Sequence, residues 1–358
     1  MSKSLIHLTS HVLLRQRLVI ATLLGRPLRI DAIRSDSDNP GITDYEAGFL
    51  RLLEKLTNGS SVEISYTGTS ILYQPGSLTG GSVTHSCSTS KSVGWYLEHI
   101  IPLAPFFKNP LQLTLHGITT DGTDVSVDTL RTVTLPHLSL FGITDGLELN
   151  ITKRGSAPLG GGTVSFRCPT IRQLKPLNFI DPGRIKRIRG IAHSVRVSPQ
   201  LANRMVEASR GLLNRYIPDI YLYTDIYRGE EAGKSPGYAL TLVAESTTGA
   251  LHTAEAVSSP GTTPEDVATR ASCALLEEVA GRGAVDSSHQ WLVLLLMALG
   301  SEDVSRCRMG ALTPHSIQYI RDLKHMVGLT FKMKQLQETQ EVLVSCVGIG
   351  YTGQRKVQ

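Results

Sequence analysis

The sequence predicts an α/β fold in which a smaller α/β module interrupts one larger domain. Segments with apolar residues at helical spacing alternate with short segments in which apolar and polar residues alternate, a pattern typical of helices and half-buried strands. Two successive stretches, within residues 13–73 and 93–168, present these segments in the same order. The sequence pattern changes at residues 177–182, where a further group of predicted elements begins.

The first stretch predicts a helix, a strand, a second helix and a strand pair. Gly25-Arg26-Pro27 ends the first helix, and Asn39-Pro40-Gly41 precedes the second, as expected of residues that break helices. The predicted elements are a helix over 13–24, a strand over 28–33, a helix over 43–56 and strands over 62–66 and 70–73.

The second stretch repeats this order, although no residue-level repeat accompanies it. Gly160-Gly161-Gly162 lies between its last two strands. A phosphate-binding loop of the P-loop kind leads into a helix, so this triplet is interpreted as a tight turn between strands. The predicted elements are a helix over 93–101, a strand over 111–116, a helix over 127–140 and strands over 147–152 and 164–168.

The third part of the chain predicts the inserted module and the elements after it. Pro264 near its start and Gly281 near its end delimit the longest helix of the module. The module elements are helices over 199–216 and 263–282 and strands over 219–224 and 238–245. Helices over 289–299 and 316–327 and strands over 329–333 and 341–346 follow, and we expect them to complete the first layer. The predicted divisions are a discontinuous main domain (1–180 and 284–350), the module (181–283) and a tail (351–358).

Composition excludes several classes of protein. The 36 Lys and Arg residues exceed the 31 Asp and Glu residues, and this net charge of +5 permits an RNA partner without requiring one. The longest apolar run, residues 292–299, is far shorter than the ~20 residues of a membrane-spanning helix, so no membrane partner is expected. The five cysteines are scattered, with no Cys-x-x-Cys, which argues against a zinc site or a disulfide framework and favours a reducing compartment.

Two charged clusters are candidate sites, each with a structural alternative. Arg184, Lys186, Arg187 and Arg189 place four cations within six residues; they predict contact with RNA phosphates or an acidic partner, or else a solvated edge strand. Alternating side chains would present this charge on two faces of a strand. Asp121, Asp124 and Asp128 follow a predicted strand; they are candidates for holding a divalent cation, or else Asp124 and Ser126 cap the next helix.

Five stretches of the chain together resemble the RNA 3′-terminal phosphate cyclase superfamily. They are residues 14–18, 120–130, 182–192, 242–249 and 289–297. The resemblance covers nearly the whole chain and favours the cyclase-like branch, which acts in nucleolar ribosome assembly, over the true cyclases. It implies repeated βαβαββ layers that carry an inserted α/β module, in agreement with the boundaries near residues 180 and 283.

The resemblance also implies that the cyclase chemistry is lost. True cyclases adenylate a histidine with ATP and use a glycine-rich Glu-Gly-Gly-Gly-Gln loop, where this sequence has Thr-Ser-His-Val-Leu at residues 9–13. Arg15 and Arg34 match family arginines, but Ser37 replaces a third and Tyr45-Glu46 replaces a Gln-His pair. The family's His-x-x-Asp-Gln is Asp-Ser-Ser-His-Gln at residues 286–290. His315 falls in the register of the nucleophilic histidine, although the residues after it depart from the family pattern.

These departures imply a non-catalytic scaffold in early assembly of the small (40S) ribosomal subunit, with no cofactor and no metal. The branch implies a location in the nucleolus of the nucleus, a role in pre-rRNA processing, and binding to a ribosome-assembly GTPase and other small-subunit processome components. Two alternatives stay open: an endoribonuclease that uses Asp121, Asp124 and Asp128, and a residual cyclase that uses His315. The expected anion-binding or RNA-binding residues are Arg15, Arg17, Arg34, Arg184, Lys186, Arg187 and Arg189.

The helix predicted over 316–327 is the candidate partner surface. Helical spacing places Ile317, Ile320, Leu323 and Val327 on one face, which we expect to pack against the α/β layer. Arg321, Asp322 and Lys324 are then expected to face outward or lie at the rim. A surface of mixed charge suits a protein partner better than RNA, because Asp322 would repel a phosphate backbone.

Overall fold

A computed structural model describes residues 4–336 and 339–353 of the chain. Within these residues, three four-stranded sheets share one strand order, in which the first, second, fourth and third strands of each unit lie side by side. The predicted α/β class and repeated βαβαββ order are therefore confirmed.

The first unit forms the sheet β1-β2-β5-β4, in which β1 and β2 are parallel and β5 is antiparallel to both of its neighbours. Strand β1 was not predicted. The elements are β1 (Ile6–Thr9), α1 (Leu14–Leu24), β2 (Leu28–Asp31), α2 (Asp44–Leu56), β3 (Thr57–Asn58), β4 (Ser61–Ile64), β5 (Ile71–Gln74) and β6 (Ser77–Leu78). Strands β3 and β6 pair separately.

The second unit forms the sheet β7-β8-β10-β9. The helix predicted over 127–140 has a π-helical turn at Leu130–Thr134, just before Pro136. Proline has no N–H to donate to the carbonyl four residues earlier, so a regular α-helix is interrupted here. The elements are β7 (Gly81–Ser86), α3 (Val93–Ile100), β8 (Leu111–Gly117), α4 (Val127–Thr129), α5 (Leu135–Ser139), β9 (Glu148–Lys153) and β10 (Gly162–Cys168).

The module follows β11 (Asn178–Phe179) and forms its own sheet, β13-β12-β14-β15. Helices α6 and α7 cover one face of this sheet, where they bury a cluster separate from the main core that includes Ile188, Leu222, Leu242 and Leu275. The elements are β12 (Ile185–Val195), α6 (Pro199–Leu213), β13 (Ile220–Tyr227), β14 (Gly237–Ser246), β15 (Leu251–Val257) and α7 (Pro264–Ala280).

The late elements form a third unit. They are α8 (Gln290–Leu299), β16 (Val304–Met309), α9 (Pro314–Val327), β17 (Lys332–Gln335) and β18 (Val342–Val347). The expectation that they complete the first layer is wrong, because β16, β17 and β18 pair with β11 in a sheet of their own, β11-β16-β18-β17. The module is therefore inserted between the first strand and the first helix of the third unit.

One apolar core joins the three units. Every residue of α8 is buried, and its side chains belong to the same cluster as residues of α1, α3 and β8. In the part of the chain that the structure describes, no helix is long and apolar enough to cross a membrane.

Candidate functional site

His315 lies on the exposed first turn of α9, where Thr313 caps the helix by accepting a hydrogen bond from the Ser316 backbone N–H. The Gln290 side chain fixes the approach to this turn, because it donates to the Ala311 carbonyl and accepts from the Thr313 N–H. Desolvation and the positive charge of Arg15 both lower the pKa of His315. Its neutral imidazole can accept a hydrogen bond at Nε2 from Gln16 Nε2, 3.1 Å away.

The loop over residues 9–13, where the resemblance places a glycine-rich loop, is held by a buried arginine. Arg17 Nη1 donates to the carbonyl oxygens of Thr9 and Ser10, both at 2.9 Å. Ser10 and Leu13 have positive φ angles of 72° and 62°, which non-glycine residues seldom adopt. The backbone therefore turns as a glycine-rich loop would, but two side chains now occupy the turn.

Arg17 was expected to bind an anion, and its position contradicts that expectation. Its Nε donates to Asp322 Oδ2 at 2.7 Å, and both side chains are only 5% exposed. With its Nη1 used by the loop carbonyls, this guanidinium is a buried structural group with no access to a phosphate.

Arg34 is also paired within the chain. Its two terminal nitrogens contact the carboxylate oxygens of Glu46 at 2.7 and 2.8 Å, and Nη1 also donates to the Gly41 carbonyl. Glu46 accepts a further hydrogen bond from the Thr43 backbone N–H in the capping box of α2. Although burial opposes ionisation, these donors lower the pKa of Glu46 and keep it charged.

Arg15 is partly buried in an aromatic pocket. Its guanidinium lies 4.1 Å from the centre of the Trp95 ring and contacts Glu98 Oε2 at 3.4 Å. Trp291 Nε1 donates to the other oxygen of Glu98, and burial raises the pKa of that carboxyl. Sequence reasoning identified neither Trp95 nor Glu98, because an aromatic residue and an acid within an apolar helix give no local signal of a site.

His289, in the remnant of the family's His-x-x-Asp-Gln, is engaged at both ring nitrogens. Nδ1 donates to Asp286 Oδ1 at 2.6 Å, and Nε2 lies 2.7 Å from Thr134 Oγ1. The ring also stacks on His137, with centroids 5.0 Å apart. Against the effect of burial, the Asp286 carboxylate raises the pKa of His289. These contacts hold helix α8 against the second unit.

The three acids proposed for a nuclease site have separate partners. Asp121 accepts hydrogen bonds from backbone N–H groups of its own loop, and Asp124 contacts Lys91 Nζ at 2.8 Å and the Ser92 N–H. Ser126 caps α4 as expected, whereas Asp124 bonds the start of α3 instead. Among the described residues, no three His, Cys, Asp or Glu side chains are placed to hold one metal ion.

The expectation that Asp128 belongs to a nuclease site is wrong, because its side chain is fully buried. It makes two contacts with Arg154, which is also fully buried, at 2.5 and 3.0 Å. Arg154 Nη2 reaches Asp225 on β13 at 2.9 Å, and its Nη1 lies 3.2 Å from His193 Nδ1 on β12. This cluster, formed by Asp128, Arg154, Asp225 and His193, joins the module to the second unit.

Arg184, Lys186, Arg187 and Arg189 lie in three different environments. A β-bulge at residues 185–187 lets Lys186 and Arg187 contact the same Glu245 carboxylate, at 2.9 and 2.6 Å, so these two charges are not presented on opposite faces as expected. Arg189 forms an exposed pair with Asp219. Arg184 instead lines a cavity of about 830 Å³ between the module and the third unit, with Arg282 and Arg308.

Helix α9 is rotated relative to the prediction. Asp322 is 3% exposed and faces inward, so the expectation that it lies on a partner surface is wrong. Ile317, expected inward, is 41% exposed. The buried residues of α9 are Ser316, Tyr319, Asp322, Leu323 and Met326. Arg321 and Lys324 are exposed as predicted.

Comparisons with known proteins match nearly the whole chain to one protein family. The sequence profile described as RNA 3′-terminal phosphate cyclase matches residues 7–333. The RNA 3′-terminal phosphate cyclase-like protein of Homo sapiens is 50% identical over 355 residues, covering 96% of this chain and 95% of its own length. An rRNA processing protein of Schizosaccharomyces pombe is 49% identical, covering 96% of each chain. Another, of Saccharomyces cerevisiae, is 38% identical, covering 96% of this chain and 95% of its own.

Proposed function

The chain belongs to the RNA 3′-terminal phosphate cyclase family, and on that premise we propose that it is a non-catalytic binding factor in rRNA processing. Two of its relatives are named rRNA processing proteins. One observation supports the absence of catalysis: Arg15, Arg17 and Arg34 each contact a carboxylate of the chain itself.

These internal pairs do not fit the binding of ATP. A triphosphate needs cations and backbone N–H groups that converge on it without competing anions. Glu46 and Asp322 occupy the guanidinium groups of Arg34 and Arg17, and the 9–13 loop carries side chains where the family has glycines. His315 therefore lies at the sequence position of the family's nucleophile, but the residues around it do not fit a bound nucleotide. No reaction step is assigned to it.

The proposed setting is the early small-subunit processome in the nucleolus, with a ribosome-assembly GTPase as the protein partner. The branch resemblance supports this setting, and the net charge of +5 is compatible with contact to pre-rRNA. Arg321 and Lys324 are the proposed partner contacts, because both side chains are exposed on the outer face of α9. Asp322 is excluded from that surface by its burial.

A charge reversal tests the proposed partner surface. Arg321→Glu with Lys324→Glu should weaken binding of the GTPase by about tenfold or more, equivalent to ~1.4 kcal/mol, because attraction across the contact becomes repulsion. Lys332→Glu with Lys334→Glu, a matched pair of exposed cations on β17, should leave binding unchanged. Isothermal titration of purified partners measures both affinities. Equal affinities of the folded α9 variant and the wild type would place the contact elsewhere.

Depletion of the protein from cells tests the role in rRNA processing. RNA blots should then show accumulation of the unprocessed small-subunit precursor, with large-subunit precursors less affected. The control is re-expression of the wild-type chain, which should restore the normal pattern. Normal early processing after complete depletion would refute the proposed function.

A further inference from the structure

One face of the module sheet is left uncovered by the module's own helices. Side chains alternate between the two faces of a strand, and Leu222 on β13 points toward α6 and α7. Tyr221 and Tyr223 therefore lie on the opposite face. We call this surface the tyrosine face, and define it by Arg189, Ile191, Tyr221, Tyr223, Thr241 and Val243, which share one side of β12, β13 and β14.

The two tyrosine rings are exposed at the edge of the sheet. Tyr221 is 59% exposed and Tyr223 is 41% exposed, whereas Ile191 and Thr241 on the inner strands of the same face are buried. Strand β13 is an edge strand, and its register places Tyr221 beside Arg189 and Tyr223 beside Ile191. The two rings, two residues apart on one face of β13, thus form a platform that reaches solvent.

The main domain forms a wall along this platform. The π-helical turn at residues 130–134 lies against the module on the side of β15, and its Thr132 borders a cavity of about 160 Å³. Arg189, Ile191, Tyr223 and Val243 are among the other residues that line that cavity, as is Glu245. The inner part of the tyrosine face is therefore a cleft beneath the main domain, and Tyr221 lies beyond that cavity on edge strand β13.

More positively charged than negatively charged side chains lie around the cleft. Lys186 and Arg187 share the single carboxylate of Glu245, and both are exposed by about two-fifths. Arg131 contacts Asp128, a carboxylate that it shares with Arg154, and the Arg131 side chain is 35% exposed. Burial raises the pKa of Tyr223 and the charge of Arg131 opposes that rise, so the guanidinium lies within electrostatic reach of the ring.

We propose that the tyrosine face binds single-stranded RNA, with unpaired bases stacked on Tyr221 and Tyr223 and the phosphate backbone on Arg131 and Arg187. Exposed rings on a sheet face provide a stacking surface for any base, and adjacent guanidinium groups supply the charge that a phosphate chain requires. The surplus of cations favours RNA over a protein segment with an apolar anchor. The inference rests on the proposed role in rRNA processing and identifies a surface that would hold the RNA.

The test uses the full chain and a fluorescein-labelled oligouridine. Tyr221→Ala with Tyr223→Ala should weaken binding by roughly 10- to 100-fold in fluorescence anisotropy, because base–aromatic stacking is lost. Tyr221→Phe with Tyr223→Phe should bind as the wild type does, since the rings remain. Tyr216→Ala is the matched control, because this tyrosine of the module is 63% exposed but lies outside the cleft. Arg131→Ala should lower the slope of log affinity against log salt by about 0.7.

Three outcomes would overturn the proposal. They are unchanged RNA affinity of the folded tyrosine double variant, an equal loss in the Tyr216→Ala control, and loss of a protein partner with RNA affinity retained. Thermal unfolding of each variant establishes that it is folded. A failure here is distinct from failure of the proposed function, because depletion would still impair pre-rRNA processing if only the RNA-binding surface were assigned wrongly.

Discussion

Asp128→Ala is expected to lower the free energy of unfolding by about 3–5 kcal/mol, because it leaves a buried guanidinium without its main counter-charge. Arg154 and Asp128 are both fully buried and make two contacts with each other. Solvent cannot replace the lost carboxylate at that depth. Urea unfolding followed by circular dichroism measures the loss.

Asp225→Ala provides the matched control for this cluster. Asp225 also contacts Arg154, at 2.9 Å, but its side chain is 28% exposed, so water can compensate and the loss should be smaller. If Asp128→Ala unfolded at the same urea concentration as the wild type, the cluster would not be a stabilising link between the module and the second unit.

The pH dependence of the same variant gives an independent readout. Arg154 holds the pKa of Asp128 at about 2 in the folded chain, despite burial, whereas the ordinary value is 3.8. The stabilisation is therefore complete above the ordinary pKa and is lost as the pH falls through about 2. Asp128→Ala should have a shallower loss of stability in acid than the wild type, measured by thermal unfolding between neutral and acidic pH.

Asp322→Ala is expected to have a second large effect, also about 3–5 kcal/mol, because it removes the partner of buried Arg17. Arg17 also holds the carbonyls of Thr9 and Ser10. Loss of Asp322 should therefore increase hydrogen exchange at backbone amides of the 9–13 loop, which lies far from residue 322 in sequence. Chemical unfolding and hydrogen-exchange mass spectrometry measure the two effects.

Arg321→Ala is the control, since it removes the neighbouring but exposed charge of the same helix. It should change stability by no more than about 0.5 kcal/mol, as is usual for surface positions. A loss in Asp322→Ala no larger than that in Arg321→Ala would contradict the assignment of Asp322 to the core.

Hydrophobic periodicity predicted the longer helices well and missed several strands. Helices α2 and α7 were found within two residues of each end, because their apolar positions recur over several turns. Strand β16 was missed, since two arginines interrupt its short apolar pattern. The third unit was not recognised because its first strand, β11, has only two residues and the module separates it from the rest.

The candidate site depended on contacts that periodicity cannot detect. An ion pair with Arg17 places Asp322 on the inward side of α9, and this rotates the helix away from the face that its apolar residues predict. The replacement of a family Gln-His pair by Tyr45-Glu46 was visible in the sequence. Its consequence, that Glu46 occupies Arg34, required the fold that brings α2 beside residue 34.

The most direct test of the central claim is rescue of depleted cells by His315→Ala, scored by RNA blots of the small-subunit precursor. A non-catalytic binding factor predicts that this variant restores early processing as fully as the wild type does, because no reaction depends on the imidazole. His315 is exposed, so its replacement should leave the fold intact, and equal protein levels would verify this. Failure of His315→Ala to rescue, at wild-type protein level and stability, would contradict the account and restore a catalytic role to His315.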